Sequence, residues 1–63
     1  MGGVGWPDFI GMVKGKGQFF GIEAKVEGRK PTLNQIAILK QIEENGGLSV
    51  LAYSLDDVQK AGL

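Results

Sequence analysis

The sequence has no cysteine and no histidine. Without cysteine there is no disulfide framework and no thiolate metal site. Without histidine there is no Ser-His or Cys-His catalysis and no imidazole ligand. Any chemistry here falls to carboxylates, lysines, side-chain amides and the backbone. No apolar run approaches the roughly 18 residues of a membrane span, and no charged-then-apolar leader opens the chain. A soluble, untargeted protein with no membrane partner is therefore expected, and the missing cysteine fits a reducing cytoplasm. An excess of charge of one sign is absent too. Seven basic residues balance 7 acidic ones, which excludes a generally basic nucleic-acid coat. Walker and dinucleotide glycine patterns are missing as well, and the G-K-G at 15–17 reads as a turn.

The charge that is present is spread unevenly. Lys14, Lys16, Lys25, Arg29, Lys30 and Lys40 lie between 14 and 40 against Glu23 and Glu27, whereas Glu43, Glu44, Asp56 and Asp57 come later. A local basic surface is possible on a neutral protein. At 63 residues the chain reads as one domain, 1–63, with a thin core. A domain of about 60 residues buries only about 60% of its unfolded surface. With no disulfide available, a bound ion or a second subunit is the remaining source of stability. Oligomerisation is thus expected before any motif is considered.

Along the chain, M-G-G-V-G-W-P reads as a loose or extended lead-in, with Pro7 pushing Trp6 out of helical conformation. D-F-I-G-M-V, 8–13, reads as a strand, K-G-K-G as a turn, and Q-F-F-G-I-E-A-K-V, 18–26, as a second strand. After the loop E-G-R-K-P comes a helix over 33–45. It is announced by Thr32 as N-cap, Gln35 at the capping-box position, and Leu33, Ile36, Ala37, Leu39 and Ile42 at helical spacing. Asn45-Gly46-Gly47 stops it. L-S-V-L-A-Y, 48–53, is a third strand, and S-L-D-D opens a short second helix ending near Gly62. The order is β-β-α-β-α. A helical crossover between the second and third strands pairs them in parallel, giving an α/β fold with a small mixed sheet.

The hairpin has a consequence for its charges. Either K-G-K-G as the loop or a two-residue Gly15-Lys16 turn makes paired residue numbers sum to 31. Met12 then faces Phe19, Ile10 faces Gly21, and Asp8 faces Glu23. Directly opposed residues point to one side, about 4.5–5.5 Å apart at Cβ, and Lys25, two residues past Glu23, shares that side. Opposed carboxylates repel unless something positive lies between them. A divalent cation, Mg²⁺ or Mn²⁺, suits such hard oxygen ligands, with the Ala24 carbonyl as a further donor. Lys25 beside such an ion can act on an attacking water or on phosphate charge. The plainer alternative is a strand-entry aspartate and a solvated Glu23–Lys25 pair on a wet sheet face.

G-W-P-D-F-I-G, then I-E-A-K, then a helix opening on a glutamine, resembles the PD-(D/E)XK nuclease superfamily, and within it the VRR-NUC group of phage and DNA-repair nucleases. The likeness spans residues 4 to 58 and includes the G-G before the last strand and Y-S-L-D-D-V after it. It implies a minimal PD-(D/E)XK core performing Mg²⁺-dependent (or Mn²⁺-dependent) hydrolysis of phosphodiester bonds in DNA. By the resemblance, Asp8 and Glu23 hold the metal, Lys25 is the catalytic lysine, and Gln35 joins the site from the helix. Short stand-alone members imply a homodimer acting on branched DNA such as Holliday junctions, in a phage or its bacterial host. One family feature has no counterpart: no acid precedes Asp8, where the family carries one on a leading helix. The rival readings are a nicking or flap-type nuclease with the same site, and a non-catalytic DNA-binding or assembly module lacking that helix.

Gln35 reads as a capping residue or a site residue, and the expectation is that one side chain cannot serve both. Lys14, Lys16, Arg29 and Lys30 sit on loops where phosphate contacts are reasonable, Arg29 being the favoured one; solvated loops explain them equally. Ser54 reads as an N-cap with Asp57 as its partner. Trp6 reads as a packing or interface residue, with stacking on a DNA base the alternative. Phe9, Phe20 and Ile22 are expected to be core against the long helix. Met12 and Phe19, on the acids' side near the turn, are expected to form the dimer contact. Gly11 and Gly21 mark close approaches within strands.

Overall fold

The computed structural model describes residues 5–63. The first four residues of the glycine-rich lead-in lie outside the described residues. Strands β1 (Phe9–Met12) and β2 (Phe19–Ala24) are followed by helix α1 (Leu33–Glu44), strand β3 (Leu48–Ala52) and helix α2 (Leu55–Lys60). The sheet runs β1-β2-β3, with β1 antiparallel and β3 parallel to β2. The expected order and mixed sheet are therefore observed. Among the described residues, no helix is long and apolar enough to cross a membrane.

The hairpin register is the expected one. Met12 pairs with Phe19 and Ile10 with Gly21, and the Val13 N–H donates to the Gln18 carbonyl at 2.7 Å. Of the two turns compatible with that register, the four-residue loop forms: Lys16 and Gly17 both donate to the Val13 carbonyl. Gly15 and Gly17 take φ of 84° and 67° there, which a side chain would oppose.

One expectation about the faces is reversed. Phe9, Phe20 and Ile22 do not pack against α1. The long helix covers the other side, where Gln35 reaches Glu23 and the Ile42 side chain fills the space above Gly21. Phe9 and Ile22 instead line a cavity with Leu55 and Val58 of α2, and Phe9 stays 59% exposed. Strand alternation sorts residues into two faces, but the hand of the β2-α1-β3 crossover decides which face the helix covers. Apolar content alone pointed to the wrong one. Phe19 accordingly lines a cavity with Trp6, Ile38 and Ile42 against α1, so Trp6 is a packing residue. Met12 remains 70% exposed.

The core is thin, as the chain length requires. Its buried hydrophobic members are Leu39, Ile42, Val50 and Ala52, contributed by α1 and β3. Thr32 and Gln35 form the full capping box at the start of α1. At α2 Ser54 is the N-cap with Asp57 as its partner, as expected, but only half of a capping box forms. The Ser54 hydroxyl accepts from the Asp57 N–H at 3.3 Å, but the Asp57 carboxylate turns to the N–H of Tyr53, one residue earlier.

Two glycines hold the lead-in against the helix. A Cβ on Gly21 would lie 2.7 Å from the end of Ile42 and 2.8 Å from the Pro7 ring, and one on Gly5 would lie 2.7 Å from the Asn34 backbone. Gly5 also takes φ of 95°. The segment that delivers Asp8 thus crosses the first turn of α1 in direct contact, beside Gln35. Gly5→Ala is expected to lower stability by about 1–3 kcal/mol through overpacking and strained backbone, read from the midpoint of a urea melt.

Candidate active site

Glu23 is the only buried charged side chain among the described residues, at 2% exposure. Its position follows from the sheet. It lies in the central strand, paired with Leu51 of β3, under the first turn of α1. Asp8 falls just before β1, opposite Glu23 in the register. One oxygen of Asp8 accepts the Ala24 N–H at 2.9 Å. This bond replaces the next rung of the hairpin ladder and explains why an aspartate sits at the strand's mouth. Ala24 is exposed, and its carbonyl leaves the strand on the same edge as that N–H, so it shares the Asp8 side.

Two groups hold one oxygen of Glu23. The Gln35 amide donates to Oε2 at 3.0 Å, and the Lys25 ammonium lies 3.7 Å from the same atom. Oε1 is buried with no hydrogen-bond partner. Burial raises the Glu23 pKa above its ordinary value of 4.5, the charge of Asp8 adds to the rise, and Lys25 opposes it. A carboxylate in this state is under-neutralised: it faces a second acid, and one of its oxygens has nothing to bind.

Gln35 corrects an expectation. Its Oε1 accepts the Thr32 N–H at 2.8 Å while its Nε2 donates to Glu23. A primary amide has a donor end and an acceptor end, and the helix start lies over the site, so one side chain serves both. Capping also fixes which way the amide points: with its oxygen on Thr32, only the NH₂ is left for Glu23.

The donor set fits a small hard cation. Two carboxylates, one of them with an orphaned oxygen, and the Ala24 carbonyl are the kind of partial shell that Mg²⁺ completes with water. The acids number two, because no group of three His, Cys, Asp or Glu residues able to hold a metal occurs among the described residues. Asp8, Glu23, Ala24, Lys25 and Gln35 are therefore brought together as expected. The four candidate phosphate-binding residues are not. Arg29 and Lys30 lie on the loop that leaves β2 beside the site, while Lys14 and Lys16 occupy the hairpin turn at the far end of that strand. At about 3.3 Å per residue, the two pairs are some 20 Å or more apart.

Tyr53, read from the sequence only as the end of the third strand and part of Y-S-L-D-D-V, makes a contact that the sequence does not announce. Its hydroxyl donates to the Arg29 carbonyl at 2.9 Å, a contact between residues 24 apart for which no local pattern exists. No known protein family, curated protein or solved structure matches the chain.

Proposed function

We propose that the protein is a Mg²⁺-dependent (or Mn²⁺-dependent) DNA endonuclease that hydrolyses phosphodiester bonds, acting as a homodimer on branched DNA. The observation that carries this reading is the buried Glu23, with one oxygen fixed by Lys25 and Gln35, the other unpartnered, and Asp8 beside it. A destabilised carboxylate pair of this kind is what a cation-binding or catalytic site requires. The resemblance of G-W-P-D and E-A-K to VRR-NUC nucleases points to the same chemistry on the same residues.

Asp8, Glu23 and the Ala24 carbonyl would hold Mg²⁺, which would supply Lewis acidity toward a phosphate oxygen and lower the pKa of a water. Gln35 keeps Glu23 Oε2 oriented so that Oε1 stays available. Lys25 presents its ammonium at the edge of the site, where it orients the attacking water or offsets charge on the phosphate. Arg29 and Lys30 receive flanking phosphates as positioning contacts. Dimerisation is supported by the thin core and by large apolar side chains left exposed, Met12 among them. Two sites set apart on a dimer suit paired cuts on a branched substrate.

A second reading has an observation in its favour. With only two acids at the site, the chain also suits a DNA-binding or assembly module without activity of its own. The deciding experiment is cleavage of a labelled four-way junction, a linear duplex and a flap in Mg²⁺ and Mn²⁺. Metal-dependent cutting is the expected outcome, with symmetric nicks on the junction. Cutting confined to flap or nicked products moves the assignment to the nicking or flap class. DNA binding without cutting in either metal overturns the nuclease reading in favour of the module.

A further inference from the structure

The loop between β2 and α1 carries Arg29 and Lys30, and among the described residues neither forms an ion pair. The loop is stiffened internally only by a turn, Arg29 N–H to the Val26 carbonyl at 3.1 Å, with Gly28 at φ 87°. Among the described residues, a single hydrogen bond ties residues 26–31 to the rest of the chain: Tyr53 Oη to the Arg29 carbonyl. The backbone of Tyr53 is itself anchored, since its N–H donates to the Asp57 carboxylate at 2.8 Å. One residue earlier, the Ala52 carbonyl accepts the Lys25 N–H at 2.9 Å. Tyr53 thus stands at the point where the lysine of the site, the start of α2 and the basic loop meet.

We propose that Tyr53 is a positioning residue, whose hydroxyl latches the 26–31 loop so that Arg29 and Lys30 are presented to a DNA backbone phosphate next to the carboxylate site. The proposal rests on the nuclease reading and assigns the part of the molecule that seats the substrate. The chemistry favours a phosphate there. Tyr53 walls a cavity of about 330 Å³ together with Glu27, Gly28, Arg29 and Lys30, open to solvent and carrying two cations against one carboxylate. Holding the Arg29 carbonyl fixes the backbone from which the guanidinium extends, so less conformational freedom is lost when a phosphate binds. Because Tyr53 is 43% exposed, its hydroxyl can be removed without opening the core.

The test is a double-mutant cycle on DNA affinity, measured by fluorescence anisotropy with a labelled four-way junction in Ca²⁺. Wild type, Tyr53→Phe, Arg29→Ala and the double variant are compared over a range of salt. Tyr53→Phe is expected to weaken binding about fivefold, the scale of one net hydrogen bond, and to flatten the salt dependence. Arg29→Ala lowers the salt slope by about 1. In the Arg29→Ala background, Tyr53→Phe is expected to have a clearly smaller effect, the remainder being the share carried by Lys30. Unchanged affinity in Tyr53→Phe overturns the latch, and so does an equal loss in both backgrounds, which marks a merely structural bond. Wild-type protein that binds Mg²⁺ but no DNA overturns the latch and the DNA reading together. Binding with the expected cycle but no cleavage in Mg²⁺ supports the latch while removing the nuclease.

Discussion

Replacing Glu23 with glutamine is expected to stabilise the metal-free protein at neutral pH while abolishing its response to Mg²⁺. Glutamine keeps the shape and can still accept from the Gln35 amide, which reaches Glu23 at 3.0 Å. What it removes is a buried charge opposed to Asp8. The counter-effect is the lost Lys25 contact, at 3.7 Å and with Lys25 partly in solvent, which is the smaller term. Removing one partner of a buried pair is destabilising where the other charge is left buried, but Lys25 keeps access to solvent, so relief of the desolvated Glu23 charge is expected to dominate.

The pH dependence has a definite sign. The folded-state pKa of Glu23 is raised above 4.5, so between 4.5 and that raised value the folded state binds a proton that the unfolded state does not. Stability therefore falls as pH rises through this window, and the deficit persists above it. Urea melts in EDTA at pH 5 and pH 8 isolate the effect as the difference between wild type and Glu23→Gln. The variant's advantage is expected to be larger at pH 8 than at pH 5. Saturating Mg²⁺ reverses the ranking: at about 100 times its dissociation constant a ligand adds about 2.7 kcal/mol, which for a domain this small is about 20 °C in Tm. Glu23→Gln should show no such shift. A variant less stable than wild type in EDTA at every pH would show that Glu23 is a structural ion-pair partner, and the metal assignment would fall.

The opposition of Asp8 and Glu23 was legible in the sequence, because it depends only on turn length and strand alternation. The burial of Glu23 was not, because it depends on which face α1 covers. Counting back from K-G-K-G puts Asp8 opposite Glu23, and the observed pairing of Ile10 with Gly21 and Met12 with Phe19 leaves no room for a slip. Both helix starts were equally readable from Thr32 and Ser54, since a cap is a contact within four residues. Contacts set by the hand of a crossover were not readable. Phe9, Phe20 and Ile22 looked like the core face because they are apolar, yet α1 lies over Gly21 and Glu23. For the same reason Gln35 looked forced to choose between cap and site. Only the placement of the helix start directly above Glu23 gives its two ends separate partners. Tyr53 with Arg29 is the extreme case, a side chain meeting a backbone carbonyl across two element boundaries.

Lys25→Ala is expected to lower the cleavage rate by about 10² to 10⁴-fold, the range for loss of a positioned proton-handling or charge-stabilising group, while leaving Mg²⁺ binding intact or tightening it. The second half of that statement separates catalysis from structure. Lys25 is a cation 3.7 Å from the carboxylate oxygen of Glu23, so it competes with a metal for the same negative charge. Removing it takes away a repulsion felt by the ion and leaves Asp8 and Glu23 more in need of one. The Glu23 pKa, which Lys25 holds down, should rise further in the variant, so tighter Mg²⁺ binding is best measured at pH 8, where the carboxylate is ionised. If Lys25 merely supported the fold, its loss would weaken Mg²⁺ binding and activity together, in proportion to the fraction unfolded. If it acts on the substrate, the two move apart: calorimetry with Mg²⁺ shows equal or higher affinity, and single-turnover cutting of the junction collapses. Lys25→Arg sharpens the distinction, because it retains the charge beside Glu23 but replaces a compact ammonium with a planar guanidinium that does not give up its proton. Recovery of cutting in Lys25→Arg assigns the lysine to charge stabilisation of the phosphate, and continued loss assigns it to the attacking water.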